Sequence, residues 1–200
     1  MDINSFSWLN EPERYEINSD RIVIYTEPVT DFWQRTYYNF RHDNAHALLF
    51  PVAEKEFSFF VKTEYKPERL FDQCGIVLYQ DSDNWAKASC EYENGNLSNL
   101  GSVVTGLGYS DWSARPVSNT GSAIWYRLSR RGQDFEIRTS FDGVNYDFMR
   151  IFHMHKEADT VNIGIYACSP LISTVKCTFS ELELTDCKWE LYVNPDEEQA

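Results

Sequence analysis

QCGIVLYQDSDNWAKASCEY, residues 73–92, decides the fold. Two runs rich in Val, Ile, Tyr, Trp and Cys flank the turn Asp81-Ser82-Asp83-Asn84, the signature of an antiparallel hairpin. Parity along the second run separates two faces. Ala86, Ala88 and Cys90 are small and apolar and point to an interior, while Trp85, Lys87, Ser89 and Glu91 point the other way. One sheet therefore carries an outward face with a ring, a cation, a hydroxyl and a carboxylate.

The same texture repeats along the chain. Residues 21–27, 56–65, 74–80, 84–92, 100–107, 124–131, 134–141, 147–154, 161–168 and 175–184 all read as strands bounded by Gly, Asn, Asp and Pro. Further tight turns are expected at Arg131-Gly132-Gln133-Asp134 and Asp142-Gly143-Val144-Asn145. In SFDGVNY (140–146), Asp142 caps the turn, Gly143 supplies positive φ and Tyr146 packs back on the strand. No window sustains a 3.6-residue apolar period, so almost no helix is expected. Ten or more strands at this spacing indicate a two-sheet sandwich or a barrel. Residues 1–190 read as one domain, followed by an acidic tail over 191–200. The one long connection is 106–122, and its stretch 114–122 is expected to be the most mobile interior segment.

Composition limits the partners. A formal charge of −13 speaks against nucleic acid and anionic membranes, which need clustered Lys and Arg. No run approaches the ~18 apolar residues of a membrane-spanning helix. The first twenty residues have neither a basic nor an apolar segment of the kind that directs secretion. The five cysteines (Cys74, Cys90, Cys168, Cys177, Cys187) are odd in number and lack CxxC spacing. Together these features predict a cytoplasmic protein with reduced, mostly buried thiols, with a disulfide framework as the weaker alternative.

Six ordered stretches carry a family resemblance: TDFWQRTYYNFRHDNAH (30–46), FDQCGIVLYQDSDNWAKASCEY (71–92), LGSVVTGLGYSDWS (100–113), YRLSRRGQDFEI (126–137), SFDGVNY (140–146) and IGIYACSP (163–170). Over roughly residues 6–184 the chain resembles the fungal and bacterial family named for the yeast regulation-of-enolase protein, within the concanavalin A-like lectin/glucanase superfamily. That resemblance implies an all-β, concanavalin A-like jelly-roll sandwich of two curved antiparallel sheets. It also implies a cytoplasmic protein with a functional link to glycolytic enolase and no established enzymatic activity. The family pattern has Gly where Asn39 and Ala45 stand, so the backbone is less permissive there.

The candidate binding residues follow from parity and composition. Trp33, Arg35, Tyr37, Asn39 and Arg41 share one parity, with Phe32, Tyr38 and Phe40 expected in the core. Rings, forked donors and an amide on one strand face suit a polar, sugar-like ligand; the bland alternative is a merely solvated face. Trp85, Lys87 and Glu91 lie on the hairpin face, with Lys87 and Glu91 too far apart along the strand to pair. If exposed, truncating either charge costs less than about 1 kcal/mol; if buried in a pair, about 3–5 kcal/mol. His46, Gln73, Asp111 and Trp112 complete the set, with Trp112 read as an anchor of the long loop or a lid over a groove. No cofactor is implied. His153 and His155 lack a spaced third ligand, and the turn at residues 81–84 lacks the Gly and distal Glu of a calcium loop.

Three functions compete: a non-catalytic binding or regulatory protein, an enzyme on a sugar or sugar phosphate, and a purely protein-binding module. As an enzyme, Glu91 is the acid or base, with Asp111 as a partner and Lys87 or Arg35 holding an anionic group. The run Cys90-Glu91-Tyr92-Glu93-Asn94 lacks the central acid of the glucanase pattern, and no GxSxG, GxGxxG, Walker or HExxH motif is present. A closed groove with a raised-pKa carboxylate favours the enzyme, and an open aromatic patch favours protein contact.

Overall fold

A computed structural model describes residues 5–118 and 123–194. Two antiparallel seven-stranded sheets stack into the expected jelly-roll sandwich. The first sheet runs β1 (Ser7–Leu9), β6 (His46–Val52), β15 (Val161–Cys168), β8 (Gln73–Asp81), β9 (Asn84–Tyr92), β10 (Leu97–Gly106), β11 (Tyr109–Ser118). The second runs β14 (Asp147–His153), β13 (Asp134–Ser140), β12 (Ile124–Arg131), β7 (Glu56–Tyr65), β16 (Lys176–Thr185), β3 (Arg21–Tyr25), β2 (Tyr15–Ile17). A small ribbon, β4 (Phe32–Gln34) with β5 (Arg41–Asp43), stands apart from both.

Alternation builds two cores. Ala86, Ala88 and Cys90 face inward, as their parity predicts, and join Ile76, Leu78, Ile163 and Ile165. Phe57, Phe59, Tyr126, Leu128 and Phe135 meet them from the second sheet. Complete burial of each Leu, Ile or Phe side chain among them contributes about 1.5–3 kcal/mol. Opposite parity on the first sheet feeds a second cluster: Ala47, Leu49, Val77, Trp85, Val103 and Tyr166, closed by Phe32 of β4. The ribbon thus acts as a partial third layer on the outer face of the first sheet.

All ten expected strands are present, and two long ones were missed. β6 pairs with both β1 and β15 but contains Pro51. β1 covers only Ala47–Leu49, so Pro51 lies where one flank of β6 is open and a missing N–H is tolerated. β11 replaces most of the expected loop over 106–122. The true connection is the two-residue turn Leu107-Gly108, with φ of 53° and 76°, the left-handed pair of a type I′ hairpin. β11 is an edge strand with a mostly exposed, polar sequence, which disguises it as a loop. Residues 114–118, expected to be mobile, are paired along β10, and 119–122 lie outside the described residues, as does most of the acidic tail (195–200).

SFDGVNY forms the expected capped turn. Asp142 Oδ1 accepts from the amides of Val144 and Asn145, Ser140 Oγ accepts from the Gly143 amide, and Gly143 has φ of 75°. Those amides hold the Asp142 carboxyl well below the usual carboxylate range. The five cysteines are free thiols, four of them buried and Cys187 half-buried.

Sheet packing leaves no room at Gly164, where a Cβ meets the Leu48 carbonyl oxygen at 2.0 Å. Gly95 has nothing within 4 Å. Gly164→Ala is therefore expected to lower stability by at least about 1–3 kcal/mol through strand displacement. Gly95→Ala stays within about 0.5 kcal/mol of the parent. Denaturant midpoints of the two variants check this, and equal effects contradict the close pairing of β15 with β6.

Candidate functional site

The stretch 30–46 is not one strand. Arg35, Tyr37 and Asn39 have φ of 55°, 63° and 61°, so strand alternation ends after Gln34 and resumes at Arg41. The Arg35 amide donates to the Phe40 carbonyl at 2.8 Å, and the Asn39 amide donates to the Arg35 carbonyl at 2.7 Å, closing a tight loop. Asparagine tolerates the left-handed conformation better than most residues, which suits Asn39 to its place.

This loop redirects the expected core rings. Phe32 alone is buried, with centroids 5.6 Å from Trp85 and 6.3 Å from Tyr166. Tyr38 and Phe40, expected inside, instead stack on each other at 5.4 Å and stand half-exposed. Trp33 meets Tyr38 edge-on at 5.5 Å, and His42 meets Phe40 at 4.6 Å. These four rings form one wall of a cleft of about 360 Å³ on the outer face of the first sheet. Trp112 of β11 and Val103 of β10 line it from the edge, and Phe71 and Leu171 from the strand ends.

Asp31, Lys87 and Glu91 make the charged floor. Lys87 is only 4% exposed, which puts it in the case of a charge buried in a pair rather than an exposed one. Its partner is Asp31, at 3.1 Å. Burial alone drives an ammonium toward its neutral form, but Asp31, joined by Glu91, outweighs it and holds the pKa above the ordinary lysine value. Asp31 Oδ1 also accepts from the Phe32 amide at 2.7 Å, so carboxylate and buried ring are fixed together. Glu91 accepts from Gln73 Nε2 at 2.9 Å. Burial pushes the Glu91 carboxyl up to about 7; Lys87 and Gln73 pull against that rise, and Asp31 adds to it.

Of the residues singled out in the sequence, Trp33, Lys87, Glu91 and Trp112 line this cleft. Trp112 is 47% exposed on a strand, neither loop anchor nor lid. Gln73 lies beneath, its amide oxygen accepting from Ser89 and Tyr166 and its nitrogen orienting Glu91. Trp85 is wholly buried under Phe32 and donates to the Ser82 carbonyl. Arg35 and Arg41 turn away and converge on Asp83 Oδ1 at 3.6 and 3.2 Å, tying the aromatic loop to the β8–β9 turn. Tyr37 is 87% exposed at the loop tip, outside the cleft. His46 is buried structure: its Nε2 accepts from the Glu27 amide, which leaves Nδ1–H to donate to the Asn10 carbonyl. Asp111 pairs with Arg150 at 2.7 Å and does not line the cleft with Glu91. His153 pairs with Asp134.

Sequence reasoning missed Asp31, Tyr38, Phe40, His42 and Phe71 as lining residues. A carboxylate next to a core ring in Thr30-Asp31-Phe32 was a usable signal for Asp31, since a buried cation needs a counter-charge.

Glu91 has a consequence for stability. Its folded pKa is raised, so the folded state binds the extra proton between the ordinary glutamate range and about pH 7. This group's contribution is then fully present below the unfolded pKa and is lost as pH rises through about 7. Glu91→Gln is expected to gain stability over the parent on going from pH 5 to pH 8. Denaturant midpoints at both pH values check it, and parallel profiles contradict the burial of Glu91.

The chain is 30% identical over 184 residues to "Regulation of enolase protein 1" of Saccharomyces cerevisiae, covering 92% of this chain and 91% of that relative. A crystal structure of a functionally unknown S. cerevisiae protein matches with a TM-score of 0.86 and 30% identity, covering 93% and 98% of the two chains. The GH43 BlXynB protein of Bacillus licheniformis shares the fold at a TM-score of 0.69 and 14% identity, with 91% of this chain matching 37% of that one. Residues 8–187 match the family described as "Protein of unknown function (DUF1349)", and the chain belongs to that family.

Proposed function

We propose that this is a non-catalytic binding and regulatory protein of the cytoplasm, whose cleft over Lys87 takes a polar, carbohydrate-like ligand. The observation that carries the reading is the pairing of aromatic walls with a charged floor, because apolar walls with a few convergent polar groups are the common composition of small-ligand sites. Rings at Trp33 and Trp112 suit the CH faces of a sugar, and the floor suits its hydroxyls. Likeness to "Regulation of enolase protein 1" supports a functional link to enolase, through which ligand occupancy is passed on. The formal charge of −13 supports partners other than nucleic acid or an anionic membrane.

A second reading, acid or base catalysis on the same ligand class, is favoured by the Glu91 carboxyl held at about 7. It lacks the partner expected for it from the sequence, since Asp111 is committed to Arg150. Turnover of a glycoside that Glu91→Gln abolishes would replace the binding reading with the enzymatic one.

A thermal-shift screen of sugars and glycolytic intermediates is expected to find a ligand. At one hundred times its dissociation constant that ligand adds about 2.7 kcal/mol, or roughly 5–10 °C for a chain of this size. Trp112→Ala, on an exposed edge strand, is expected to keep the unliganded midpoint and lose most of the shift. No shift from any compound, or an undiminished shift in Trp112→Ala, contradicts the reading.

A further inference from the structure

The floor of the cleft is not balanced for an anion. Lys87 supplies its one ammonium, and that group is already engaged by Asp31. Asp31 and Glu91 line the same floor, so two carboxyl groups face one cation. The nearby arginines are committed elsewhere, Arg35 and Arg41 to Asp83 and Arg150 to Asp111. The remaining basic side chain on the wall, His42, sits edge-on to Phe40.

The open hydrogen-bonding positions point the same way. An ammonium has three N–H groups; the hydrogen bond from Lys87 to Asp31 takes one, and the centre of the Tyr166 ring lies 5.4 Å from Nζ on another side, leaving at least one N–H for the cleft. Asp31 Oδ1 accepts from Lys87 and the Phe32 amide, and Glu91 Oε2 accepts from Gln73. Among the described residues no such donor reaches Asp31 Oδ2 or Glu91 Oε1, and neither is a sealed, unsatisfied atom. The floor therefore offers donors and acceptors side by side. A hydroxyl group is donor and acceptor at once and satisfies both. A phosphate or carboxylate only accepts, and it sets negative charge against Asp31 and Glu91 in a partly dry site.

We propose that the cleft selects an uncharged, polyhydroxylated ring, its hydroxyls exchanging hydrogen bonds with Lys87, Asp31 and Glu91, and rejects the phosphorylated or carboxylated form of the same sugar. This rests on the ligand reading above and narrows it, since a sugar phosphate is now excluded. The protein then responds to a sugar before phosphorylation or after dephosphorylation.

Calorimetric titration at pH 8 tests it, with neutral mono- and disaccharides each paired with its phosphate ester and its uronic acid (for glucose, glucose 6-phosphate and glucuronate). The expected result is binding of at least one neutral sugar, with its charged partners weaker by about tenfold or more. In Glu91→Gln, which keeps hydrogen-bonding atoms but loses the charge, that ratio is expected to shrink by about threefold or more. Equal or tighter binding of a charged partner overturns this inference and leaves the ligand cleft standing. An unchanged ratio in Glu91→Gln also overturns it, because the discrimination then has another source. No binding by any compound overturns the ligand reading and this inference together.

Discussion

The buried ammonium of Lys87 organises the outer face of the first sheet. A cation in the middle of a sheet, 4% exposed, is tolerable only with a counter-charge held close. Asp31 supplies it from a segment 56 residues earlier in the chain. The Phe32 amide that fixes Asp31 belongs to the ring that fills the gap between Tyr79, Trp85 and Tyr166. One ion pair and one buried ring therefore seat the ribbon on the sheet. Its far end is tied by Arg35 and Arg41 to Asp83, exposed pairs that orient more than they stabilise. Between these two anchors the loop carrying Tyr38 and Phe40 must bulge, and that bulge is the wall of the cleft.

The fold was legible because strand parity is robust. Ala86, Ala88 and Cys90 declared the inner face of β9, and a slip in its assigned ends leaves that assignment intact. β11 was illegible for a physical reason: an exposed edge strand has no apolar face to alternate. The site was half legible. Trp33, Lys87, Glu91 and Trp112 stood out by chemistry, and they do line one cleft. Arg35, Tyr37 and Arg41 were grouped with them by a strand parity that three left-handed residues cancel. Tyr38 and Phe40 were lost for the same reason. Positive φ at Tyr37 has no clear sequence signal, since only the whole loop makes it tolerable.

The two sheets alone give a sandwich shared with the GH43 BlXynB protein, and that likeness speaks only to the fold. The outer face of the first sheet is shaped by the third layer. The ribbon turns an otherwise solvated sheet face into a partly closed cleft, and it adds the second carboxyl group that sets the charge of the floor. Lys87 Nζ and Asp31 Oδ1 hold the layer in place, while Asp31 Oδ2 and Glu91 Oε1 beside them stay open to the cleft.

A double-mutant cycle on that pair tests the account most directly. Lys87→Met leaves the partly buried Asp31 without its cation, and Asp31→Asn leaves the buried Lys87 with only the more distant Glu91, so each is expected to cost up to about 3–5 kcal/mol in denaturant unfolding. The double variant removes both charges and is expected to cost less than the sum by more than about 1 kcal/mol. Additivity within about 0.5 kcal/mol would mean that the pair does not hold the third layer, contradicting the account.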